Sequence, residues 1–365
     1  HLEEPGGDGG MRYTIGQLAE IIDGDRGKNY PKQDEFYPQG YCLFLNTGNV
    51  TKEGLIFEEN QFIMKEKDEA LRKGKLKRGD IVYTTRGTVG NAGYYNSSVP
   101  YENVRINSGM VILRSNGEIV DARFLYQILK SEYYRPYFKQ YCTGSAQPQL
   151  PIKNFSQIYL NVPDIKTQHR IADILSVYDD LIENNQKQIK LLEEAAQRFY
   201  KEWFVDLRFP GHENTKIVDG VPEGWQYEKL GDLVKTTSGG TPSRRKSEYY
   251  VNGNIRWIKT KELNDRFIFE TEEHITEDAV KNSSAKVLPE GALIVAMYGA
   301  TIGKIGITAA EMACNQACCA FISFDDMISK EYLYCWIMDN REYLVSQGKG
   351  AAQSNLSQEM IRNFS

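Results

Sequence analysis

Three cysteines, Cys314, Cys318 and Cys319, lie close together in the chain and are candidate ligands for a metal ion. A structural zinc site needs four ligands, usually Cys or His in closely spaced pairs. The chain has six Cys and four His, but it contains no CxxC pair and no second ligand pair at zinc spacing. We therefore expect free, buried thiols in place of a zinc site or disulfides.

Catalytic motifs are the next chemistry to consider. The sequence contains no GxxxxGK[ST] phosphate loop, no NPPY-type or DPPY-type motif and no HExxH. The paired carboxylates Asp179–Asp180 and Asp325–Asp326 are interpreted as solvated surface and not as catalytic dyads. The sequence thus predicts a chain without catalytic activity of its own. A metal-dependent nuclease that uses scattered carboxylates is the alternative enzyme.

A basic run could bind phosphate or a nucleic-acid base. Arg244, Arg245 and Lys246 follow Ser243 in a segment that reads as a loop. A solvated loop is the equally weighted alternative. The formal net charge of −5 argues against a uniformly basic nucleic-acid binder, so any such contact would be local.

The elements that must position these residues occur twice. Gly79, Gly87, Gly90 and Gly93 match four glycines of the later run EGALIVAMYGATIGKIG. Five pairs of segments align in the same order: 15–18 with 230–233, 40–47 with 253–260, 78–93 with 290–306, 106–112 with 314–320, and 124–129 with 332–337. We therefore predict two domains of one fold in tandem. The glycines are interpreted as turns that need positive φ.

Each copy mixes strand-like and helical patterns. The runs DIVYTT, MVILR and ALIVAMY are typical of strands, whereas residues 123–138 and 330–344 have amphipathic helical spacing. This predicts a tandem repeat of α/β (α+β) domains. No apolar run is long enough for a membrane span, and no secretory leader is recognised. We expect a cytoplasmic protein without membrane contact.

A long helix is predicted between the copies. Residues 167–204 contain neither Pro nor Gly, and Thr167 can cap the first turn. Apolar residues alternate by three and four, as in a coiled-coil seam, with Asn185 at a core position where an amide would favour one register. The seam residues are Ile171, Leu175, Tyr178, Ile182, Asn185, Ile189, Leu192, Phe199 and Trp203. An ordinary long helix packed on one domain is the alternative.

Together these residues resemble the DNA specificity subunit of type I restriction-modification systems. The resemblance includes PEGWQYEKLGDL (222–233), SGGTPSRRKSEYY (238–250), GATIGKIGI (299–307), GAAQSNLS (350–357) and, in the first copy, GSAQPQL and PDIKTQHRIADILSVYDDLI (163–182). The first copy departs from the family in having IDGDRGKNYPK (22–32) where GGTPS is expected, and His169 is unusual at its position.

The resemblance implies a domain plan. Residues 1–11 are interpreted as an expression remnant, 12–162 as the first target recognition domain, 163–208 as the spacer helix, 209–224 as a linker and 225–365 as the second recognition domain. The family would continue into a second spacer helix after Ser365. Without it, we expect the apolar stripe of the first helix to be covered by another chain, including a second copy of this one.

The resemblance also implies a function. Each domain would read one half of a split target in double-stranded DNA, and the helix would set the spacing and dock two modification subunits. Restriction subunits would join the complex, and S-adenosylmethionine, ATP and magnesium would be used by these partners, with no cofactor in this chain. The alternative function is a tandem protein-interaction scaffold without DNA binding.

Residues for DNA contact are expected in the basic run, after the Trp257 strand and in the glycine-rich segments. They are Arg86, Ser243, Arg244, Arg245, Lys246, Lys259, Lys261, Tyr298 and Lys304. Arg86 and Tyr298 occupy matching positions, as expected if the domains read different half-sites, although drift would produce the same difference. Asn315, Gln147 and Gln353 also match family positions, and a loop-stabilising role is favoured for them.

Overall fold

The computed structural model describes residues 10–144, 147–348 and 355–365. The chain forms two compact units that divide between Gln186 and Lys187. Each unit contains one copy of the repeat. No helix within these described ranges combines the length and apolarity that a membrane span requires.

The first unit is built from short strands and short helices. Its strands are β1 (Met11–Thr14), β2 (Ala19–Asp23), β3 (Cys42–Leu45), β4 (Val50–Thr51), β5 (Gly54–Leu55), β6 (Phe62–Ile63), β7 (Ile81–Thr84), β8 (Ala92–Tyr94), β9 (Val104–Ile106), β10 (Met110–Ser115) and β11 (Tyr159–Val162). Its helices are α1 (Ile15–Leu18), α2 (Lys65–Ala70), α3 (Ala122–Lys130), α4 (Arg135–Lys139) and α5 (Ile152–Ser156). The sheets have the orders β2-β10-β7-β8 and β6-β3-β9, with β1-β11 and β4-β5 as pairs.

The central sheet of this unit is buried on both faces. Along β10, Val111 and Leu113 pack into the core formed with the helices, whereas Met110 and Ile112 pack into the core formed with β3 and β9. Successive side chains of a strand point to opposite faces. A sheet covered on both faces therefore explains why MVIL is continuously apolar.

A long helix follows the first copy. Helix α6 spans Ile165–Tyr200 and continues into a π-helical turn, Lys201–Val205. The predicted helix is thus confirmed, but the predicted cap is wrong. The Asp164 carboxylate accepts hydrogen bonds from the Thr167 amide at 3.1 Å and the Thr167 hydroxyl at 2.7 Å. Asp164 therefore caps the helix, and Thr167 lies within its first turn.

The second unit repeats the first. Its strands are β12 (Ile217–Val218), β13 (Val221–Pro222), β14 (Val234–Ser238), β15 (Ile255–Ile258), β16 (Arg266–Ile268), β17 (His274–Ile275), β18 (Val287–Leu288), β19 (Leu293–Ala296), β20 (Ile305–Thr308), β21 (Met312–Cys314) and β22 (Cys318–Phe324). Its helices are α7 (Leu230–Leu233), α8 (Glu277–Lys281), α9 (Lys330–Asp339), α10 (Arg341–Ser346) and α11 (Gln358–Arg362). The sheets have the orders β14-β22-β19-β20-β16 and β17-β15-β21-β18, with β12-β13 as a pair.

The predicted repeat is confirmed for the elements around the central sheets, although the second central sheet has one strand more than the first. Helix α1 corresponds to α7, β7 to β19 and β10 to β22, and both central sheets are covered on two faces. Strand β3 pairs in parallel with β9, and β15 pairs in parallel with β21. The tandem α/β (α+β) class follows from these matching topologies.

Candidate nucleic-acid interface

Several loops meet at one end of the central sheet in the first unit. After β7, the Thr85 amide donates to the Gly109 carbonyl at 2.9 Å, and the Thr85 carbonyl accepts from the Leu150 amide at 2.9 Å. The Asn107 amide donates to the Leu45 carbonyl at 3.0 Å. The exits of β3, β7 and β9 and Leu150, the last residue of GSAQPQL, are thereby held together.

The second unit builds the same framework. Met297 takes the place of Thr85, because its amide donates to the Ala317 carbonyl and its carbonyl accepts from the Leu356 amide, both at 2.8 Å. The Asn315 amide donates to the Ile258 carbonyl at 2.9 Å. The similar segments GSAQPQL (144–150) and GAAQSNLS (350–357) therefore each carry a leucine, Leu150 or Leu356, that is bonded to the exit of a central strand.

Three carboxamide side chains stand at family-motif positions, those of Asn315, Gln147 and Gln353. The Asn315 carboxamide oxygen accepts from the Ala317 amide at 3.1 Å, as Asn107 does from the Gly109 amide at 2.8 Å. These bonds support the loop-stabilising interpretation of Asn315. Gln147 lies in the described part of the phrase, exposed, whereas Gln353 lies outside the described residues.

The glycine-rich segments form matching turns. Gly87 and Gly299 have φ values of 71° and 89°, so both positions need the left-handed conformation that glycine tolerates. Arg86 and Tyr298 immediately precede these turns. Arg86 is exposed, and within the described ranges its guanidinium has no hydrogen-bond or ion-pair partner. Tyr298 is half-buried and packs against the core under the helices.

The basic run divides into bound and free side chains. The Arg244 guanidinium lies 4.4 Å from the Tyr250 ring centroid and 5.1 Å from that of Trp257, and it donates to Glu273 at 2.6 Å. Lys246 donates to the Tyr249 hydroxyl at 3.0 Å. The exposed side chains of Ser243 and Arg245 have no partner of this kind among the residues described by the structure.

The lysines after β15 are also paired. The Lys259 ammonium donates to Glu273 Oε1 at 2.5 Å, and Lys261 forms an ion pair with Glu272. Glu273 thus accepts from two cations. The hydrogen bond from Arg244 makes the largest contribution to lowering the pKa of Glu273, and that from Lys259 makes the next largest. The Glu273 carboxylate therefore stays ionised.

Lys304 lies behind the glycine-rich turn. Its ammonium donates to Asp265 Oδ2 at 2.8 Å, and the Arg341 guanidinium binds the same carboxylate. Arg341 also donates to the Gly303 carbonyl at 3.0 Å. The geometry therefore gives Lys304 a part in fastening the turn, whereas a DNA contact by this residue stays a prediction.

Sequence reasoning missed the carboxylates that hold these cations. Glu270, Glu272 and Glu273 form the acidic segment Glu270–Glu273 just before β17, and Glu270 pairs with Arg256 at 2.5 Å. The available signal was the acidic run FETEE (269–273), which follows the basic residues Arg256, Lys259 and Lys261 in the sequence. The paired cations come from the loop before β15 (Arg244), from β15 itself (Arg256) and from the turn that follows it (Lys259 and Lys261).

The cysteine cluster is buried, as predicted. Burial raises the pKa of Cys319 to about 12, and the pKa of Cys318 is raised by its hydrogen bond with Cys314 and by burial. Burial that raises the pKa of a thiol lowers its reactivity, as is typical of structural cysteines. Among the described residues no group of three or more His, Cys, Asp or Glu is placed to hold a metal ion.

The predicted seam of α6 is largely uncovered in this chain. Ile171 packs against the first core, but the remaining apolar seam positions are exposed, with Ile182 at 52%, Ile189 at 51% and Leu192 at 70%. Asn185 is exposed as well. The other exposed seam residues are Leu175, Tyr178, Phe199 and Trp203. An apolar stripe of this extent is typical of an interaction surface.

Comparison with known proteins places the chain in a family. The sequence profile of the type I restriction modification DNA specificity domain matches residues 9–194 and 222–365. The MjaVIII specificity subunit of Methanocaldococcus jannaschii is 30% identical over 89% of this chain and 74% of its own length. The HindI specificity subunit of Haemophilus influenzae is 26% identical over 85% of this chain and 80% of its own length.

A solved structure supports the fold. The crystal structure of the type I restriction-modification S subunit from M. genitalium superposes with a TM-score of 0.53 and 16% identity, covering 97% of this chain and 83% of that one. The named relatives are specificity subunits, in agreement with the prediction of a non-catalytic component whose catalysis lies in partner subunits. The chain belongs to the type I restriction-modification DNA specificity family.

Proposed function

We propose that this chain reads a bipartite DNA target, with residues 12–162 reading one half and residues 225–365 the other. The observation that carries the proposal is the shared loop framework with different side chains at matching positions. Arg86 and Tyr298 precede equivalent glycine turns, and Asn46 and Lys259 follow equivalent strands. Two readers of unlike half-sites require a constant scaffold and variable donors.

The side chains proposed for contact fall into two groups. Arg86, Ser243, Arg245 and Tyr298 carry donors at the loop end of their domains, and the two arginines can bind phosphate or the guanine edge. A second group is held in place by other residues: Arg244, Lys246, Lys259, Lys261 and Lys304. Members of this group would have to exchange or share their partners on DNA.

The helix segment 163–208 is proposed to set the spacing and to dock two modification subunits, with 209–224 as a linker. The exposed seam supports this assignment, because a partner that buries Ile182, Ile189 and Leu192 removes apolar surface from water. Without such a partner, a second copy of this chain would cover the stripe. Restriction subunits would complete an assembly that acts on double-stranded DNA in the cytoplasm, and partner subunits would use S-adenosylmethionine, ATP and magnesium.

The test is domain exchange within the complex. The chain is co-purified with its modification subunits, and methylated adenines are mapped in DNA exposed to the complex. Exchange of residues 12–162 for those of a relative should change one half of a split motif, and exchange of 225–365 should change the other half. A motif that is unaltered by both exchanges, in complexes that still methylate, would contradict the proposal.

The scaffold alternative gives a different salt response. Binding to DNA through phosphates weakens steeply as salt rises, because counterions are released. An apolar protein interface changes little over the same range. Titration of the purified chain with duplex DNA at increasing potassium chloride separates the two, and salt-insensitive or undetectable DNA binding would favour the scaffold.

A further inference from the structure

The acidic segment Glu270–Glu273 neutralises most of the cations beside it. Glu273 binds Arg244 and Lys259, Glu272 binds Lys261, and Glu270 binds Arg256. Each of these four cations is thus paired with a carboxylate of the segment. A surface that is intended to attract phosphate is therefore nearly neutral in the free chain.

This cluster lies in the loop framework and not at the far end of the sheet. The Thr301 hydroxyl, in the glycine-rich turn, donates to the Thr260 carbonyl at 2.9 Å. Thr260 stands between Lys259 and Lys261 in sequence. The Trp257 amide, two residues before Lys259, donates to the Glu273 carbonyl at 3.1 Å. The carboxylates and the proposed reading turn thus share one end of the domain.

The first domain has amides where the second has carboxylates. Its Phe44 amide donates to the Gln61 carbonyl at 2.8 Å, just as the Trp257 amide donates to that of Glu273. Gln61 immediately precedes β6, and Glu273 immediately precedes the equivalent strand β17. Gln61 therefore matches Glu273, and Asn60 matches Glu272. The same exchange of charge for a neutral amide occurs after β3, where Asn46 matches Lys259.

These carboxylates oppose the binding of DNA phosphate. A phosphate that approaches Lys261 or Arg244 must displace a carboxylate or share the cation with it, and in both cases the carboxylate remains near a polyanion and is repelled. The cost is recovered where a base offers an amino group, because a carboxylate accepts from cytosine N4 in the major groove. Repulsive elements of this kind are a common source of discrimination between partners.

We propose that Glu272 and Glu273 are specificity-determining residues that suppress sequence-independent DNA binding by the second domain. The inference rests on the proposed DNA-reading function. If the ion pairs only stabilised the fold, removal of a carboxylate would not increase the affinity for DNA, whereas the proposed role predicts an increase. The partner that these side chains select is duplex DNA, with an exposed amino group on a base at the contacted position.

The variant Glu272→Gln tests the proposal in the full chain. Glu272 is 61% exposed, so the substitution removes charge without opening the core. Binding of an unrelated fluorescent duplex is measured by anisotropy over a series of potassium chloride concentrations. We expect the affinity to rise about two- to five-fold, as loss of an exposed ion-pair partner allows. The salt slope should steepen by about 0.9 if one more phosphate is contacted.

Glu331→Gln is the matched control. Glu331 is exposed and lies 3.9 Å from Lys330, at the start of α9 and next to Pro289 and Glu290, which precede β19. That location is the opposite end of the central sheet from the reading loops. The control changes the net charge by the same amount and also removes an ion-pair partner. Equal affinity gains in Glu272→Gln and Glu331→Gln would overturn the proposal.

A third variant separates this inference from the proposed function. Lys261→Gln should weaken binding of the same duplex if the cluster meets DNA. Weaker binding by Lys261→Gln together with no gain by Glu272→Gln would overturn the inference and leave the DNA interface intact. No loss by Lys261→Gln or by Arg245→Gln would contradict the interface itself, and the inference with it.

Discussion

Arg341 binds Asp265 through both carboxylate oxygens, with Nη2 2.5 Å from Oδ1 and Nη1 3.2 Å from Oδ2. Asp265 follows the turn after β15, and Arg341 begins α10. The pair also holds the glycine-rich turn, because Arg341 Nε donates to the Gly303 carbonyl and Lys304 binds Asp265. One carboxylate therefore connects a helix, a strand exit and the proposed reading turn.

The first prediction concerns the stability of this network. Arg341→Met removes one of the two cations that bind Asp265 and also removes the side-chain donor to the Gly303 carbonyl. The side chains of Arg341 and Asp265 are both largely buried. We expect a loss of about 2 kcal/mol in the free energy of unfolding of the second domain, less than for a fully buried pair. Urea unfolding checks this value. Lys281→Met breaks an exposed pair with Glu277 and should cost less than about 0.5 kcal/mol. Equal costs would refute the prediction.

The pH dependence of stability gives the second prediction. Burial raises the pKa of Asp265, but hydrogen bonds from Lys304, the Ile305 amide and Arg341 lower it by more, to below its usual 3.8. A depressed pKa adds stability that is fully present above the unfolded value and is lost as the pH falls through the folded value. The stability difference between wild type and Asp265→Asn should therefore be constant above about pH 5.

Below pH 3.8 the same difference should shrink, because the wild-type carboxylate also becomes protonated. Urea unfolding of both proteins at a series of pH values measures it. A difference that grows as the pH falls would mean that the sign of the pKa shift is wrong.

The third prediction concerns DNA contact by the free arginines. Arg86→Gln and Arg245→Gln should each weaken DNA binding and reduce the slope of log affinity against log salt by about 0.9, as expected for one lost phosphate contact. Lys330→Gln, next to the far end of the second central sheet, is the control. In methylation mapping, Arg86→Gln should relax only the half-site read by residues 12–162. Relaxation of both halves would count against separate readers.

The fourth prediction concerns the seam of α6. Ile182→Ala should reduce retention of modification subunits, or self-association of the isolated chain, because it removes apolar area that a partner buries. Leu181→Ala is a matched control, since both side chains are 52% exposed and only Ile182 belongs to the seam. Sedimentation and co-purification are the measurements. Equal effects of the two variants would remove the support for the seam.

The fifth prediction concerns the start of this helix. Asp164→Ala removes the acceptor of the Thr167 amide and should cost about 1 kcal/mol in the stability of the first domain. Thr167→Ala keeps the backbone bond and should cost clearly less. Thermal unfolding ranks the two variants, and the opposite ranking would restore Thr167 as the residue that caps the helix.

Local pattern was sufficient for the repeat, for three central strands and for the long helix. Alternating and continuous apolar runs predict β7, β10 and β19 because each lies in a sheet that is buried on both faces. The local pattern did not predict where a helical segment is divided into two helices. Residues 123–138 form two helices, α3 and α4, and Pro136 falls in the first turn of α4, where its missing amide donor is tolerated.

The sequence by itself determined the family, the tandem order and the positions of the glycine turns, since these depend on residue types at short spacing. Only the tertiary structure decided which basic residues are free. Arg245 and Arg86 stay unpaired within the described residues. In contrast, Arg244 and Lys259 bind Glu273, and Lys304 binds Asp265, in each case a carboxylate from another segment of the chain. Ion pairs depend on distances of a few ångströms between separate loops, and the loop framework sets those distances.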